Sequence, residues 1–321
     1  MNCLGVITAI IAITRVLGDA QGPITADFQT WLNNNGYSSY NFARTDYGTQ
    51  GSFGGKQAGA MTLNHPPVVF IHGNMDTALK LTTTGTGFTN TINYFLSQGY
   101  TSAELYATSW EDANPNFYGT WTHNCNDLVR LRKFLEAVLA YTGADQLSVV
   151  SFDMGVTMAR KIIKGGSSNT SYGSCSLGMP MHKKVSVFLG ISGGNLGYCN
   201  CQRNTKKNCN HENGVWPGDN CGPNTQCFAT TDLQYCDNYQ YSQFLMDLNV
   251  DRTPPGDFTF AVWSSYDNLQ LTWNRVTGFI ESAMSTKTYP GYTHQQTKDK
   301  TADEQYYMVE YRTLPPVELK K

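Results

Sequence analysis

Segments with strand and helix character alternate along most of this 321-residue chain, and this alternation limits the possible folds more than any other feature. Short apolar runs rich in β-branched residues predict buried strands at residues 68–71, 104–108, 147–151, 185–191 and 258–263. Apolar side chains at helical spacing predict helices at residues 88–96, 125–142 and 154–163. This order predicts an α/β fold, with a mainly parallel sheet covered by helices on both faces.

Composition and charge narrow the class of protein further. With 40% hydrophobic and 15% charged residues, the chain has enough apolar content to bury a sizeable core. A formal net charge of -2 supplies no dense positive field, so we expect no binding to nucleic acid. No run beyond the first residues approaches the ~18 consecutive apolar residues of a membrane helix, so we expect no transmembrane segment.

The N-terminal residues have the pattern of a signal peptide. The apolar run at residues 4–13 is too short to span a bilayer, and the small residues Gly18, Ala20 and Gly22 follow it. We predict a signal peptide at residues 1–20 and a secreted mature chain, residues 21–321, that forms a single domain. A buried N-terminal strand is the alternative, because the first two residues include no Lys or Arg.

The cysteines support export and predict a disulfide-rich insert. Loss of Cys3 with the signal peptide leaves eight of nine cysteines, and an even number in an exported protein favours disulfide bonds. Six of the eight lie within residues 199–236, which we interpret as a surface insert held by disulfides. A zinc site that includes His211 is the alternative, disfavoured because the insert has no paired C-x2-C spacing. The eight are Cys125, Cys175, Cys199, Cys201, Cys209, Cys221, Cys227 and Cys236.

One sequence motif predicts a modification of the exported protein. Asn169 begins an Asn-Thr-Ser sequon in a segment rich in Gly and Ser, which we interpret as a surface loop. We therefore predict N-glycosylation at Asn169.

The segment Ser151-Phe152-Asp153-Met154-Gly155 lies where a predicted strand meets a predicted helix. Its spacing is that of a nucleophile elbow, in which the residues two before and two after the nucleophile are small because the backbones crowd there. Asp153 would then point its side chain into a cleft. The alternative is that Asp153 only caps the helix by accepting backbone N–H bonds.

A second segment has the position that an oxyanion hole beside such an elbow requires. His72-Gly73-Asn74 follows the first predicted strand, where a loop donates one N–H to an oxyanion hole, and Met154 would donate the other.

An acid and a histidine follow the elbow in the chain order of α/β-hydrolases. Asp267 comes after the last predicted strand, and His294 lies in a turn that begins at Gly291. For His294 alone, a surface histidine in a turn is the simpler interpretation. The joint order of nucleophile, acid and histidine is what favours a hydrolase.

Residues 67–74, 125–143, 149–161, 265–267 and 292–299 resemble the class 2 lipase family of α/β-hydrolases. The resemblance extends over most of the mature chain. It implies the α/β-hydrolase fold, hydrolysis of carboxylic esters by a secreted protein without a metal or cofactor, and a lipid or small ester as the binding partner. Carried over by position, the acid is Asp267, the base is His294, and the oxyanion donors are the amides near Asn74 and Met154.

The chain departs from the family at the nucleophile, because members carry His-Ser-Met-Gly where this chain has Phe152-Asp153-Met154-Gly155. A carboxylate has no proton to give, and its attack on an ester carbonyl would form a mixed anhydride by expelling a more basic alkoxide. Ionised Asp153 also favours protonated His294, raising the imidazole pKa by ~1–3 units. Loss of a triad nucleophile typically lowers kcat by about 10^6-fold.

Three hypotheses follow for function. The first is a lipase-family protein whose esterase activity is lost or strongly reduced and whose acyl-binding cleft persists. The second is an active hydrolase in which Asp153 is the nucleophile, with His294 and Asp267, as in hydrolases that attack an alkyl carbon. The third is a non-catalytic lipid-binding or structural role for the disulfide-rich surface. The sequence favours the first.

Overall fold

A computed structural model describes residues 19–57, 62–117, 119–171, 173–203, 205–218, 241–269 and 277–316. Most of the predicted signal peptide lies outside the described residues, as do Cys221, Cys227 and Cys236. None of the helices in the described part of the chain is long and apolar enough to cross a membrane.

The described strands make one large sheet and one separate hairpin. In chain order they are β1 (Ser52–Phe53), β2 (Val68–Ile71), β3 (Leu105–Thr108), β4 (Leu147–Phe152), β5 (Ser167–Thr170), β6 (Gly173–Ser176), β7 (Val185–Ile191), β8 (Phe258–Ser264) and β9 (Ser285–Tyr289). The large sheet has the order β1-β3-β2-β4-β7-β8-β9, and β5 pairs with β6 in the hairpin. Within the large sheet only the β1–β3 pair is antiparallel, so the mainly parallel sheet is confirmed.

Helices cover both faces of the sheet, as predicted. The helices are α1 (Ala26–Asn34), α2 (Thr89–Ser97), α3 (Cys125–Thr142), α4 (Met154–Lys164), α5 (Gln243–Val250), α6 (His294–Asp299) and α7 (Ala302–Tyr311). One apolar core contains side chains of α1, α3, α4 and α5, and the other contains side chains of α2 and α7. Along β2, Val69 and Ile71 enter the first core while Val68 and Phe70 enter the second, because successive side chains of a strand point to opposite faces.

The predicted strands are all present, and the large sheet adds two that the sequence did not indicate, β1 and β9. Strand β9 contains a single apolar residue, Tyr289, in the segment STKTY. It lies at the edge of the sheet and pairs in parallel with β8. An edge strand needs only one backbone partner and leaves alternate side chains in solvent, so its sequence carries little apolar signal.

One buried charge in α3 was not indicated by the sequence, and two expectations need correction. The guanidinium of Arg132 is buried and donates hydrogen bonds to the carbonyl oxygens of Ile162 and Met179, at 2.7 and 2.8 Å. Asn169 lies in strand β5 rather than in a loop, with its side chain exposed. The described part of the cysteine-rich insert is more than a surface excursion, because Cys201, Cys209 and Val215 form a small buried cluster.

The described chain contains one long-range and one short-range disulfide bond whose two cysteines are both described. Cys125 at the start of α3 is bonded to Cys175 in β6, and Cys201 is bonded to Cys209 within the insert. Cys199 is also disulfide-bonded. Since Cys201 and Cys209 are bonded to each other, the zinc alternative is wrong for these two cysteines.

The Cys125–Cys175 and Cys201–Cys209 disulfides should differ in their effect on stability. Replacing both Cys125 and Cys175 by Ser is expected to lower the free energy of unfolding by about 4 kcal/mol, because the bond spans 50 residues and restricts the unfolded chain strongly. The matched Cys201→Ser/Cys209→Ser variant, whose bond spans 8 residues, should lose about 2.5 kcal/mol. Urea denaturation measures both losses, and a larger loss in the second variant would contradict the prediction.

Candidate active site

Residue 153 has the backbone conformation of a nucleophile elbow. Asp153 lies between β4 and α4 with φ 52° and ψ -126°, a left-handed value that is rare for a residue with a side chain. The turn also brings α4 against β2, since a Cβ on Gly155 would lie 2.3 Å from the carbonyl oxygen of His72. On the other side of the elbow, Ser151 is buried and donates its hydroxyl to the carbonyl oxygen of Leu189 at 3.1 Å. The small residues therefore lie where the elbow needs them.

The helix-cap alternative for Asp153 is wrong. Its side chain makes no capping hydrogen bond to α4. Instead, Oδ2 accepts the backbone N–H of Asn74 at 3.0 Å, and the N–H of Met154 is a second backbone donor to the carboxylate. The two amides that the sequence assigned to an oxyanion hole thus both bind the side chain of Asp153.

His294 and Asp267 form the second part of the site. His294 is the first residue of α6, which begins with a capping box between Thr293 and Gln296. The His294 Nδ1 lies 2.8 Å from Asp267 Oδ2, and both side chains are buried. The interpretation of His294 as a surface histidine in a turn is therefore wrong, because the turn leads directly into a buried helix start.

The structure brings the three predicted residues together. His294 Nε2 lies 3.3 Å from Asp153 Oδ1, close enough for an ion pair, although the N–H is not aligned for a good hydrogen bond. Asp153 is the most exposed of the three, with 24% of its side chain accessible. This is the layout of a nucleophile–histidine–acid triad with a carboxylate in the nucleophile's place.

The pKa values of the pair shift in opposite directions. Burial alone would lower the pKa of His294, but the close contact with Asp153, the hydrogen bond with Asp267 and the charges of both carboxylates outweigh it and raise the pKa to about 9. Burial alone would raise the pKa of Asp153, but contact with His294 and the amides of Met154 and Asn74 lowers it. At neutral pH the site therefore holds an imidazolium between two carboxylates, and its histidine cannot accept a proton.

His72 shapes the loop that presents Asn74. Its Nε2 accepts the backbone N–H of Trp110 at 3.1 Å, so the ring proton is on Nδ1, which donates to the carbonyl oxygen of Gly73 at 2.8 Å. Burial lowers the pKa of His72 to about 4, which keeps the ring neutral. His72 is thus a structural residue that holds the backbone before Asn74.

Glu111 supports the same loop, and no pattern in the sequence indicated this role. Its Oε1 accepts the backbone N–H of Met75, which has φ 61°, and its carboxyl also accepts from the amide of Asp76. Burial raises the pKa of Glu111 well above its ordinary value, and repulsion by Asp127 and Asp153 adds to this. Its Oε2 has no hydrogen-bond partner among the described residues.

A buried ion pair joins this loop to the helix that carries His294. Lys298, one turn after His294 on α6, places its Nζ 2.9 Å from Asp76 Oδ2 and also donates to the carbonyl oxygen of Gly87. Both side chains of the pair are almost fully buried. The spacing of four residues from His294 could have indicated that Lys298 shares its face of the helix, but only the fold shows that its partner is Asp76.

The site opens into a cleft of about 390 Å³. Apolar walls come from Met75, Phe152, Met154, Val215 and Leu269. Val215 belongs to the cysteine-rich insert, so the insert forms part of the cleft. Among the described residues no group of three or more His, Cys, Asp or Glu side chains is placed to hold a metal ion.

Comparison with protein families identifies the chain. The model of the family described as Lipase (class 2) matches residues 65–307, well over half of the chain. The chain belongs to the class 2 lipase family. The fold is that of the α/β-hydrolases, as the sheet order and the elbow between β4 and α4 indicate.

Solved structures with a similar fold are distant in sequence. Lipase B of Aspergillus fumigatus is 14% identical with a TM-score of 0.49, over 88% of this chain and 61% of that one. A protein of unknown function from Agrobacterium tumefaciens is 10% identical with a TM-score of 0.40, over 80% and 92%. The mouse α/β hydrolase domain-containing protein 10 is 9% identical with a TM-score of 0.43, over 79% and 93%. Similarities this low say nothing about activity.

The buried ion pair gives a prediction for stability. Lys298→Met should lower the free energy of unfolding by ~3–5 kcal/mol, because it leaves the carboxylate of Asp76 buried without its counter-ion. The exposed Lys300 at the end of the same helix is the matched control, and Lys300→Met should change stability by less than ~0.5 kcal/mol. Equal losses in the two variants, measured by urea denaturation, would contradict the prediction.

The raised pKa of His294 gives a prediction for the pH dependence of stability. Since the pKa is about 9 in the folded state and 6.5 is the ordinary value, the stabilisation is complete below pH 6.5 and is lost as pH rises to 9. The loss amounts to ~3 kcal/mol. In Asp153→Asn this loss of stability between pH 6.5 and 9 should be smaller by at least ~1 kcal/mol, because one of the two carboxylates that face His294 is absent.

Denaturation curves between pH 6 and 9.5 measure this difference. Glu111 has a raised pKa that acts in the same direction and depends in part on Asp153, so both proteins are also compared with Glu111 replaced by Gln. In that background the difference between them isolates the Asp153–His294 pair. Parallel pH profiles for the wild type and Asp153→Asn would show that Asp153 does not hold the proton on His294.

Proposed function

We propose that this class 2 lipase homologue has lost ester hydrolysis by a serine mechanism and uses its cleft to bind a neutral lipid or small ester. The observation that carries the proposal is the carboxylate of Asp153, bound by the amide of Asn74 and paired with His294. In this proposal the roles expected from the family remain recognisable. Asp267 orients His294, and the amides of Asn74 and Met154 are the oxyanion donors.

The chemistry of the three charged groups supports the loss of activity. A serine mechanism needs a neutral histidine that takes a proton from the hydroxyl as the oxygen attacks. Here His294 has a pKa raised to about 9 by its two carboxylate neighbours, and Asp153 has no proton to give. A carboxylate that attacked an ester would also expel a more basic alkoxide, so the reverse reaction would be faster.

The cleft supports a retained binding role. Its apolar walls at Met75, Met154 and Leu269 suit an acyl chain, and its volume of about 390 Å³ is within the range of small-molecule sites. Residues Asn208 and Val215 of the disulfide-bonded insert also line it. These contributions favour a ligand-binding cleft over a purely structural role for the insert.

A second candidate is a hydrolase in which Asp153 attacks a saturated carbon. It is favoured by the 24% exposure of Asp153 and by His294 at 3.3 Å. Alkylation would neutralise Asp153 and lower the pKa of His294, so that the imidazole could then activate water to hydrolyse the ester intermediate. This reaction needs a donor for the leaving group, for which Tyr198 and Asn268 line the cleft.

We also propose that the protein is secreted. The predicted signal peptide at residues 1–20 and the disulfide between Cys125 and Cys175 support export, because disulfides persist in oxidising compartments. The exposed side chain of Asn169 is compatible with the predicted N-glycan.

The test of lost activity is to restore the nucleophile. Asp153→Ser should hydrolyse a short-chain ester at least ~10^3-fold faster than the wild type, because it supplies a hydroxyl, frees the amide of Asn74 and removes one of the carboxylates that hold His294 protonated. Asp153→Ala is the matched control that lacks a nucleophile and should stay inactive. Rates on the ester and on a triglyceride emulsion measure the effect.

Wild-type behaviour decides between the two candidates. Turnover of the ester by the wild type that is abolished in His294→Ala would overturn the proposal. A covalent adduct at Asp153 after incubation with an alkyl halide or epoxide, detected by intact mass, would instead support the second candidate.

A further inference from the structure

We infer that the cleft selects uncharged acyl ligands and rejects the corresponding carboxylate anions, because the side chain of Asp153 already occupies the anion site. The inference rests on the proposed binding function and specifies its ligand class. It concerns neutral esters and alcohols with an acyl or alkyl chain, as opposed to free fatty acids.

The anion site is built from groups that normally stabilise negative charge. The amides of Asn74 and Met154 donate to the Asp153 carboxylate, which also lies at the N-terminus of the eleven-residue helix α4. His294 approaches from the other side, with Nε2 3.3 Å from Oδ1. One oxygen of the side chain thus faces a backbone amide and the other faces the imidazole ring. A ligand's carboxylate would need these same donors.

The charges around the cleft oppose a second anion. Of the ionisable residues that line the cleft in the described part of the chain, Asp76 and Asp153 are acidic, and neither Lys nor Arg is among them. Lys298 lies nearby, but it is buried and paired with Asp76. The imidazolium of His294 is likewise held between Asp153 and Asp267. An entering carboxylate would therefore meet the negative charge of Asp153 without a cation to balance it.

An uncharged ligand meets no such obstacle. Met75, Met154 and Leu269 offer apolar contact for its chain, and the side chains of Asn268, Thr293 and Gln295 also line the cleft. The exposed part of the Asp153 carboxylate can accept a hydrogen bond from an alcohol. In this inference, Asp153 at the serine position also changes which product of ester hydrolysis the cleft would hold. The cleft would hold the alcohol rather than the acid.

The experiment compares three ligands whose hydrocarbon chains have the same length. They are methyl octanoate, 1-octanol and octanoate. Titration calorimetry at pH 7 with the full mature protein should show octanoate binding at least tenfold more weakly than either neutral ligand. Asp153→Gly vacates the anion site and suits the left-handed backbone at φ 52°. It should bind octanoate at least tenfold more tightly than the wild type, and the gain should be larger for octanoate than for methyl octanoate.

Asp153→Asn is the matched variant that separates charge from occupancy. It keeps the size of the side chain and removes its charge, so octanoate should bind more tightly than to the wild type but more weakly than to Asp153→Gly. Because Asn is nearly isosteric with Asp, this variant also keeps the test valid if the Gly variant unfolds.

The outcomes distinguish the inference from the function on which it rests. Octanoate that binds the wild type as tightly as methyl octanoate would overturn the inference and leave the binding function intact. The same holds if neither variant improves octanoate binding. Failure of both methyl octanoate and 1-octanol to bind the wild type would overturn the proposed function itself, and the inference with it.

Discussion

The left-handed backbone at residue 153 is the constraint on which the rest of the site depends. It turns the chain from β4 into α4 within one residue, and it is possible because Gly155 lets α4 lie against the carbonyl oxygens at the end of β2. The close approach brings the loop after β2 within hydrogen-bond distance of the residue at the turn. Any side chain at position 153 must therefore point at the amide of Asn74 and toward the imidazole of His294.

This geometry determines what a carboxylate does there. A serine hydroxyl at the turn would leave the amides of Asn74 and Met154 open for a developing oxyanion. The longer carboxylate reaches the amide of Asn74 with one oxygen and the histidine with the other. It also raises the pKa of His294, so this one side chain affects the two backbone amides and the imidazole together.

Buried polar groups hold the backbone around the site in place. The carboxyl of Glu111 holds the backbone of Met75 in its left-handed conformation, and the pair of Asp76 and Lys298 ties the same loop to α6. Buried polar groups of this kind are costly unless they are paired, so they hold one arrangement of the backbone. The support for the two amides thus persists although Asp153 occupies them.

The sequence by itself determined the order of the main strands and helices and the elbow spacing around Asp153, because each depends on neighbours a few residues apart. The chain order of Asp153, Asp267 and His294 is also read directly from it. The sequence left open whether Asp153 was only a helix cap and whether His294 lay on the surface. Only the tertiary structure decided both, along with strand β9 and the pairing of Lys298 with Asp76, 222 residues earlier. Contacts of that span arise from packing of the whole sheet and its helices, and no local periodicity encodes them.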